Sequence, residues 1–264
     1  MNPFTISVEP SVKLVSAPAQ MKPLSPPSRK TKPRLWQSTF LLNRALVRQL
    51  REATERWFSI ESTARVLDVG CGSMPYCSLF AGRCREYVGC DYFPVSDQIV
   101  QCPAEALSFD DASFDAVVCL QVLEHLRQPW KAVSECARVA KPGGRVILSA
   151  PFLFPHHAAP HDYFRFTHDG LRSMVEEAGL RVDQLTAQCS SLTTVLLIMN
   201  FYLARLRNRL NRRLGTRPAS WLLIGAFMLP LNLLGVLADA PLFRRPATNP
   251  NEGFSNFLLV CRKL

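Results

Sequence analysis

VLDVGCGSMPY, residues 66–76, is a short apolar run that passes through Asp68 and then turns on two glycines spaced by one residue. Val66, Leu67 and Val69 have the character of a strand buried on both faces. Gly70 and Gly72 let the backbone turn sharply and bring main-chain N–H groups close to a ligand with no Cβ in the way.

Outward from this turn the pattern repeats. RVLDVG (65–70), EYVGCD (86–91), FDAVVCL (114–120) and GRVILSAP (144–151) are short apolar runs with β-branched residues, and each reads as a strand. Helical stretches lie between them. In residues 129–144 Trp130, Val133, Ala137 and Ala140 make one face, ended by Pro142, Gly143 and Gly144. In residues 166–180 Thr167 fits an N-cap, Leu171, Met174, Val175 and Ala178 form the buried stripe, and Gly179 fits the position just past the end. Leu46, Leu50, Ala53 and Trp57 recur at helical spacing within 35–58. Alternating β and α elements predict a doubly wound α/β fold with a mostly parallel sheet, and a ligand beyond the carboxyl ends of its strands.

The ligand's chemistry follows from three residues. Asp91 ends the next strand, 19 residues after Gly72, where a carboxylate can accept from both hydroxyls of a ribose. The third glycine of a dinucleotide-binding GxGxxG is Pro75 here, and Asp68 stands before the first glycine. Asp68 would repel a pyrophosphate and favour a ligand carrying an ammonium and a sulfonium. A nicotinamide-dependent oxidoreductase is the disfavoured alternative.

Residues 60–185 resemble the class I S-adenosylmethionine-dependent methyltransferases, in particular the type 11 branch that includes the ubiquinone and menaquinone biosynthesis methyltransferases. The resemblance is carried by VLDVGCG, by Asp91, by AEALSFDDASFDAVVCLQVLEHL (104–126) and by AKPGGRVIL (140–148). It implies a Rossmann-like, seven-stranded sheet and S-adenosyl-L-methionine as cofactor. Asp68, Gly70 and Gly72 would line the methionine part and Asp91 the ribose; Ala104 and Glu105 would flank the adenine; Gln121 would border the methionine part and the methyl group. Many relatives have an acid where Pro103 stands, so main-chain groups and apolar contact from Leu107 and Phe109 are expected to hold the adenine. A SAM-binding module without turnover is a further alternative.

Methyl transfer from a sulfonium is an in-line displacement, for which positioning and exclusion of water supply most of the rate. A base is needed only for a protonated acceptor such as a hydroxyl. PFLFPHHAAPHDYFRFTHD (151–169) follows the fifth strand, where acceptor pockets form in this architecture. His161 and Tyr163 in this loop, with His125 of the LEHL segment, are the catalytic candidates. Arg165 either clamps an anionic acceptor or bridges to Asp162 or Glu176. No metal is expected, since the loop histidines lack a helical i,i+4 pairing.

The chain has 264 residues, net charge +10 and nine cysteines without a CxxC pair or zinc-ligand spacing. That cysteine usage and the absence of a signal-like opening segment point to reduced thiols on the cytosolic side. Residues 61–200 hold 11 basic and 16 acidic groups, whereas residues 201–220 hold six arginines and no acid. Nucleic acid is disfavoured, because the basic residues lack interleaved stacking aromatics.

The division expected is a disordered arm over 1–34, a SAM-binding part over 35–190, an apolar, arginine-rich helical insertion over 191–253 and a final strand over 254–264. Residues 218–238 carry no charge, a length that matches a membrane span. Two crossings would leave the arginine loop outside, against the positive-inside tendency, and Pro230 and Asn232 interrupt the run. The reading is therefore monotopic attachment to an anionic membrane surface, with Met199, Leu203, Leu206, Leu210 and Leu214 as the apolar face; a lid or dimer surface is the alternative. The acceptor expected is lipid-like, isoprenoid or a lipid-linked glycan, with a soluble small molecule as runner-up.

Overall fold

The computed structural model describes residues 30–214, 217–240 and 255–264. Most of the expected arm (to residue 29) and residues 241–254 of the insertion and final strand lie outside these, as do the side chains of Leu214 and residues 217–223.

The chain runs α1 (Phe40–Trp57), β1 (Arg65–Val69), β2 (Glu86–Asp91), β3 (Val100–Gln101), β4 (Phe114–Leu120), α2 (Pro129–Val139), β5 (Ala140–Pro151), α3 (His168–Glu177), β6 (Leu180–Ala187), α4 (Ser191–Leu214), α5 (Arg217–Ala238) and β7 (Asn256–Lys263). The seven strands lie in the order β3-β2-β1-β4-β5-β7-β6. All neighbours are parallel except β7, which pairs antiparallel with both β5 and β6. The order reverses between β1 and β4, which opens a crevice at their carboxyl ends.

Strand side chains alternate between two cores, as a period of two demands. Leu67, Val117, Leu148 and Leu259 face α2 and α3, packing with Val133, Ala137, Leu171 and Val175. Val66, Val118, Ile147 and Leu258 face α1, packing with Leu46, Leu50 and Ala53. Thr167 caps α3 by accepting from the Gly170 amide, and Gly179 follows it at φ 76°. One helix differs from its expected face: Trp130 is 50% exposed, and Ala132 and Cys136 are buried instead. The smaller Ala132 and Cys136 side chains let the helix lie close to the sheet, and the indole packs at the edge against Phe164 instead.

Helices α4 and α5 form a hairpin that packs on the start of α1, where Leu196 and Leu197 meet Phe40, Leu41 and Leu42. Gly235 makes this approach possible, since a Cβ there would stand 2.6 Å from a Leu41 methyl. The polar interruption read at Asn232 has a structural purpose. Asn232 is fully buried, accepts from Asn200 Nδ2 at 2.8 Å, and donates to the Leu35 and Gln37 carbonyls. A buried amide pair inside an otherwise apolar contact fixes one register of the two helices. Exposed apolar residues of α4 are Leu192, Val195, Ile198, Met199 and Tyr202. That stripe lies nearer the helix start than the expected one, whose Leu203, Leu206 and Leu210 are half-buried.

Candidate active site

The turn after β1 is held from the second strand. The Asp91 carboxylate accepts from the Gly72 amide at 2.8 Å and from the Phe93 amide at 2.9 Å, so one side chain locks the glycine turn to the end of β2. Each of its oxygens keeps a further lone pair for a ligand hydroxyl. Gly70 has φ 66° and a Cβ there would meet Val122 at 2.5 Å; Gly72 has φ 54° and open space where a Cβ would be. The first glycine is thus required by the neighbouring loop, and the second leaves the backbone bare toward the crevice.

Asp68 lies beneath this turn, 2% exposed, and accepts from the Tyr87 hydroxyl at 2.8 Å. Burial pushes its carboxyl up to about 7, against the opposing pull of the Tyr87 hydrogen bond. A buried carboxyl that titrates near neutrality can be completed by a cation and repels a phosphate.

Ala104 is buried at the next loop, with Glu105 half-exposed beside it. Leu107 and Phe109 are drawn into the sheet's main core: the Leu107 amide donates to Glu135, Arg138 donates to both their carbonyls, and the Phe109 ring packs edge-on against Phe114 at 5.2 Å. Tyr92 and Phe93, both well exposed after Asp91 and packed edge to face, supply aromatic surface that the sequence reading passed over.

Gln121 follows β4 at φ 57°, an uncommon conformation for a non-glycine residue and a frequent mark of a functional turn. Its side chain is committed inward: the amide nitrogen donates to Ser149 Oγ at 2.7 Å, and the carbonyl oxygen accepts from Asn256 at 2.7 Å. Its backbone remains at the crevice, and its side chain ties β4 to β5 and β7.

The three catalytic candidates meet in space, His125 joining His161 and Tyr163 from 36 residues away. His125 Nδ1 lies 2.6 Å from the His161 carbonyl, and His161 Nδ1 lies 3.2 Å from the Tyr163 hydroxyl. Arg127 lies against Tyr163, donating to its hydroxyl at 3.3 Å. Arg165 takes its bridging role. It holds Asp162 with two nitrogens and donates to the Phe154, Pro155 and Phe164 carbonyls, which leaves it spent as an anion clamp. This Arg165 grip, helped by the His157 amide, holds the Asp162 carboxyl well below the usual carboxylate range.

The sequence reading missed Glu124. It is fully buried, its carboxyl is pushed up to about 7 by that burial, and neither oxygen accepts a hydrogen bond among the described residues. The nearest basic group is His125 Nε2 at 3.8 Å. Ligand atoms of Glu124, His125 and His157 lie within 4.8 Å of one another, an arrangement that can hold a metal ion; it takes one of the loop histidines, His157, and pairs it with two residues from outside that loop. The adjacency of Glu124 to His125 was its only signal in sequence.

Residues 67–148 match the family described as a methyltransferase domain. The chain is 38% identical over 100 residues to the ubiquinone biosynthesis O-methyltransferase of Alkalilimnicola ehrlichii, covering 32% of this chain and 40% of that one. It is 37% identical over 101 residues to the protein of the same name from Paracidovorax citrulli, at 32% and 42% coverage. To that of Thiobacillus denitrificans it is 30% identical over 154 residues, at 46% and 66% coverage. The matched segment thus spans about two fifths of the first two relatives. Among solved structures, the cyclase SpnF superposes with a TM-score of 0.53 at 17% identity, over 82% of this chain and 81% of that one, a likeness of fold. The cofactor of this domain is S-adenosylmethionine, and the crevice suits it: the open face at Gly72, the Asp91 carboxylate with spare lone pairs and the buried Asp68 offer a ribose acceptor and an anion for a cation. The chain carries a class I S-adenosylmethionine-dependent methyltransferase domain of the type 11 branch, similar to that of the ubiquinone biosynthesis O-methyltransferases.

Proposed function

We propose that this chain transfers a methyl group to a lipid-like acceptor, an isoprenoid or lipid-linked glycan, at an anionic membrane surface on the cytosolic side. S-adenosylmethionine, when bound, supplies an electrophilic methyl group on a sulfonium. Gly70, Gly72 and Asp68 form the cradle for its methionine part, Asp91 receives the ribose hydroxyls, Ala104 and Glu105 flank the adenine, and the Gln121 backbone borders the methyl group. His161 takes the proton of the acceptor, with Tyr163 holding its imidazole at 3.2 Å and His125 holding its backbone carbonyl at 2.6 Å.

The observation that carries the acceptor class is the hairpin's exposed apolar face. Leu192, Val195 and Tyr202 of α4 and Phe227, Leu233 and Leu237 of α5 are each more than 45% exposed. An apolar patch of this kind marks a binding or membrane surface. Arg209, Arg212 and Arg213 are exposed on the far half of α4, where they suit anionic headgroups. Among the described residues no helix is long and apolar enough to cross a membrane.

The test is incubation of the purified protein with methyl-labelled S-adenosylmethionine and an extract of its host, following label into organic and aqueous phases. Label in the organic phase supports a lipid acceptor. Label confined to the aqueous phase replaces it with a soluble one, and cofactor binding without any transfer would reduce the chain to a binding module.

A further inference from the structure

We infer that the cleft between α4 and α5 is a binding site for a single hydrocarbon chain, the tail of the acceptor; this rests on the lipid-acceptor reading above and assigns it a place. The cleft is an open groove of about 570 Å³, within the range of roughly 300–1,000 Å³ typical of small-molecule sites. Its walls are Ile198, Met199, Tyr202 and Leu203 from α4 and Phe227, Pro230 and Leu231 from α5, and no polar atom of the described residues faces it.

That lining selects among occupants. A peptide laid in the cleft would bring N–H and C=O groups that the walls cannot satisfy, at a cost comparable to a lost hydrogen bond for each. A hydrocarbon chain brings none and gains from every methylene removed from water. A bilayer surface can cover the exposed outer stripe of the hairpin, but a concave slot accepts one extended chain.

The cleft also leads to the polar cluster. Leu231 in its wall packs on the same apolar cluster as Phe201 and Phe154. The Phe201 and Phe154 rings are 4.9 Å apart, Phe154 and His157 are 4.8 Å apart, and His157 and His125 are 4.9 Å apart. One turn along α4, Arg205 donates to the His156 carbonyl at 3.1 Å, pinning the helix to the acceptor loop. Through Leu231, a line of rings from Phe201 to His125 therefore joins the hydrocarbon slot to the loop whose His161 carbonyl lies against His125, so a molecule with an apolar tail and a polar head has complementary surface at both ends.

The probe is a diazirine-bearing hexadecanol, photolysed with the full chain and mapped by mass spectrometry, alongside cofactor affinity and the organic-phase methylation assay. Label is expected on the α4 and α5 peptides that line the cleft. Met199 is 46% exposed, so Met199→Trp fills the slot without disturbing the core; it should lower cleft labelling and organic-phase methylation by roughly tenfold, with circular dichroism and cofactor affinity unchanged. Phe227→Glu, at a residue 63% exposed, should do the same by polarity if the tryptophan variant folds poorly. Labelling that maps elsewhere, persists in both variants or joins two copies of the chain would overturn the site. Organic-phase methylation undiminished by Met199→Trp would also overturn it while leaving the lipid acceptor standing. Cleft labelling abolished by the variants, in a protein that methylates nothing in the organic phase, would keep the slot and remove the lipid-acceptor reading instead.

Discussion

The glycine turn after β1 and the α4–α5 hairpin handle polarity in opposite ways. At the turn, polar groups are tied to one another at the mouth of the crevice: Asp91 holds the Gly72 and Phe93 amides, and Tyr87 holds Asp68. In the hairpin the amides of Asn200 and Asn232 are buried, while Leu233, Leu234 and Leu237 stand in the open. On the proposed reading the first arrangement selects a molecule by directed hydrogen bonds and charge, and the second a medium by area, for which direction is irrelevant. If this division holds, damage at one end should leave the measurement made at the other unchanged.

The largest effect is expected at the hairpin. Replacing Tyr202, Leu233 and Leu237 together by Glu puts three carboxylates on the exposed face. Each apolar side chain buried at an interface contributes about 1.5–3 kcal/mol, so partition to anionic phosphatidylglycerol vesicles should fall by roughly a hundredfold or more. Cofactor affinity should stay within about twofold. Pelleting that survives the triple change would show that the hairpin is not the attachment surface.

The reciprocal change is Asp91→Ala. It removes the proposed ribose acceptor and also frees the Gly72 amide, so S-adenosylmethionine affinity should drop by about tenfold or more, with vesicle binding unaltered. Calorimetry on both proteins decides the matter, and equal affinity would sink the assignment of Asp91.

Most of the turn was legible in sequence because its chemistry is local. Gly70, Gly72 and Asp91 sit at strand ends, where residue type and spacing define the geometry. The acceptor loop was legible only as a set of candidates. His125, His161 and Tyr163 come together because Tyr163 and Phe164 hydrogen-bond to the Glu124 carbonyl, a contact across 39 and 40 positions that no spacing announces. Arg165 carried two readings for the same reason, and its five hydrogen bonds within the loop chose the structural one. The inward turn of Gln121 depends on Asn256, 135 residues away. In the hairpin, apolarity was readable but which side chains lie outward was not, since that depends on how α5 packs against α4 and α1.

Asp68 offers a smaller, pH-dependent check at the polar end. The unfolded chain ionises this aspartate near 3.8 and the folded chain near 7. Between those values the folded state holds the extra proton, so stability falls as pH rises through this window. Urea unfolding across it should show a negative slope that Asp68→Asn flattens. The same titration strengthens attraction for a cation, so cofactor affinity should rise by at most about tenfold from pH about 6 to about 8. A pH-independent affinity in the wild type would mean that Asp68 does not feel the ligand's charge.

The smallest effect sharpens the hairpin's side of the comparison. An arginine near an anionic surface contributes about 1 kcal/mol, screened by salt. Arg209→Gln and Arg212→Gln, both at exposed positions, should each weaken binding to phosphatidylglycerol vesicles by roughly fivefold and leave binding to uncharged phosphatidylcholine vesicles unchanged. The wild type's residual affinity for the uncharged vesicles then measures the apolar face alone. Arginine substitutions that weaken binding to both vesicle types equally would mean that the positive half of α4 supports the hairpin's own structure and does not read the surface charge of a membrane.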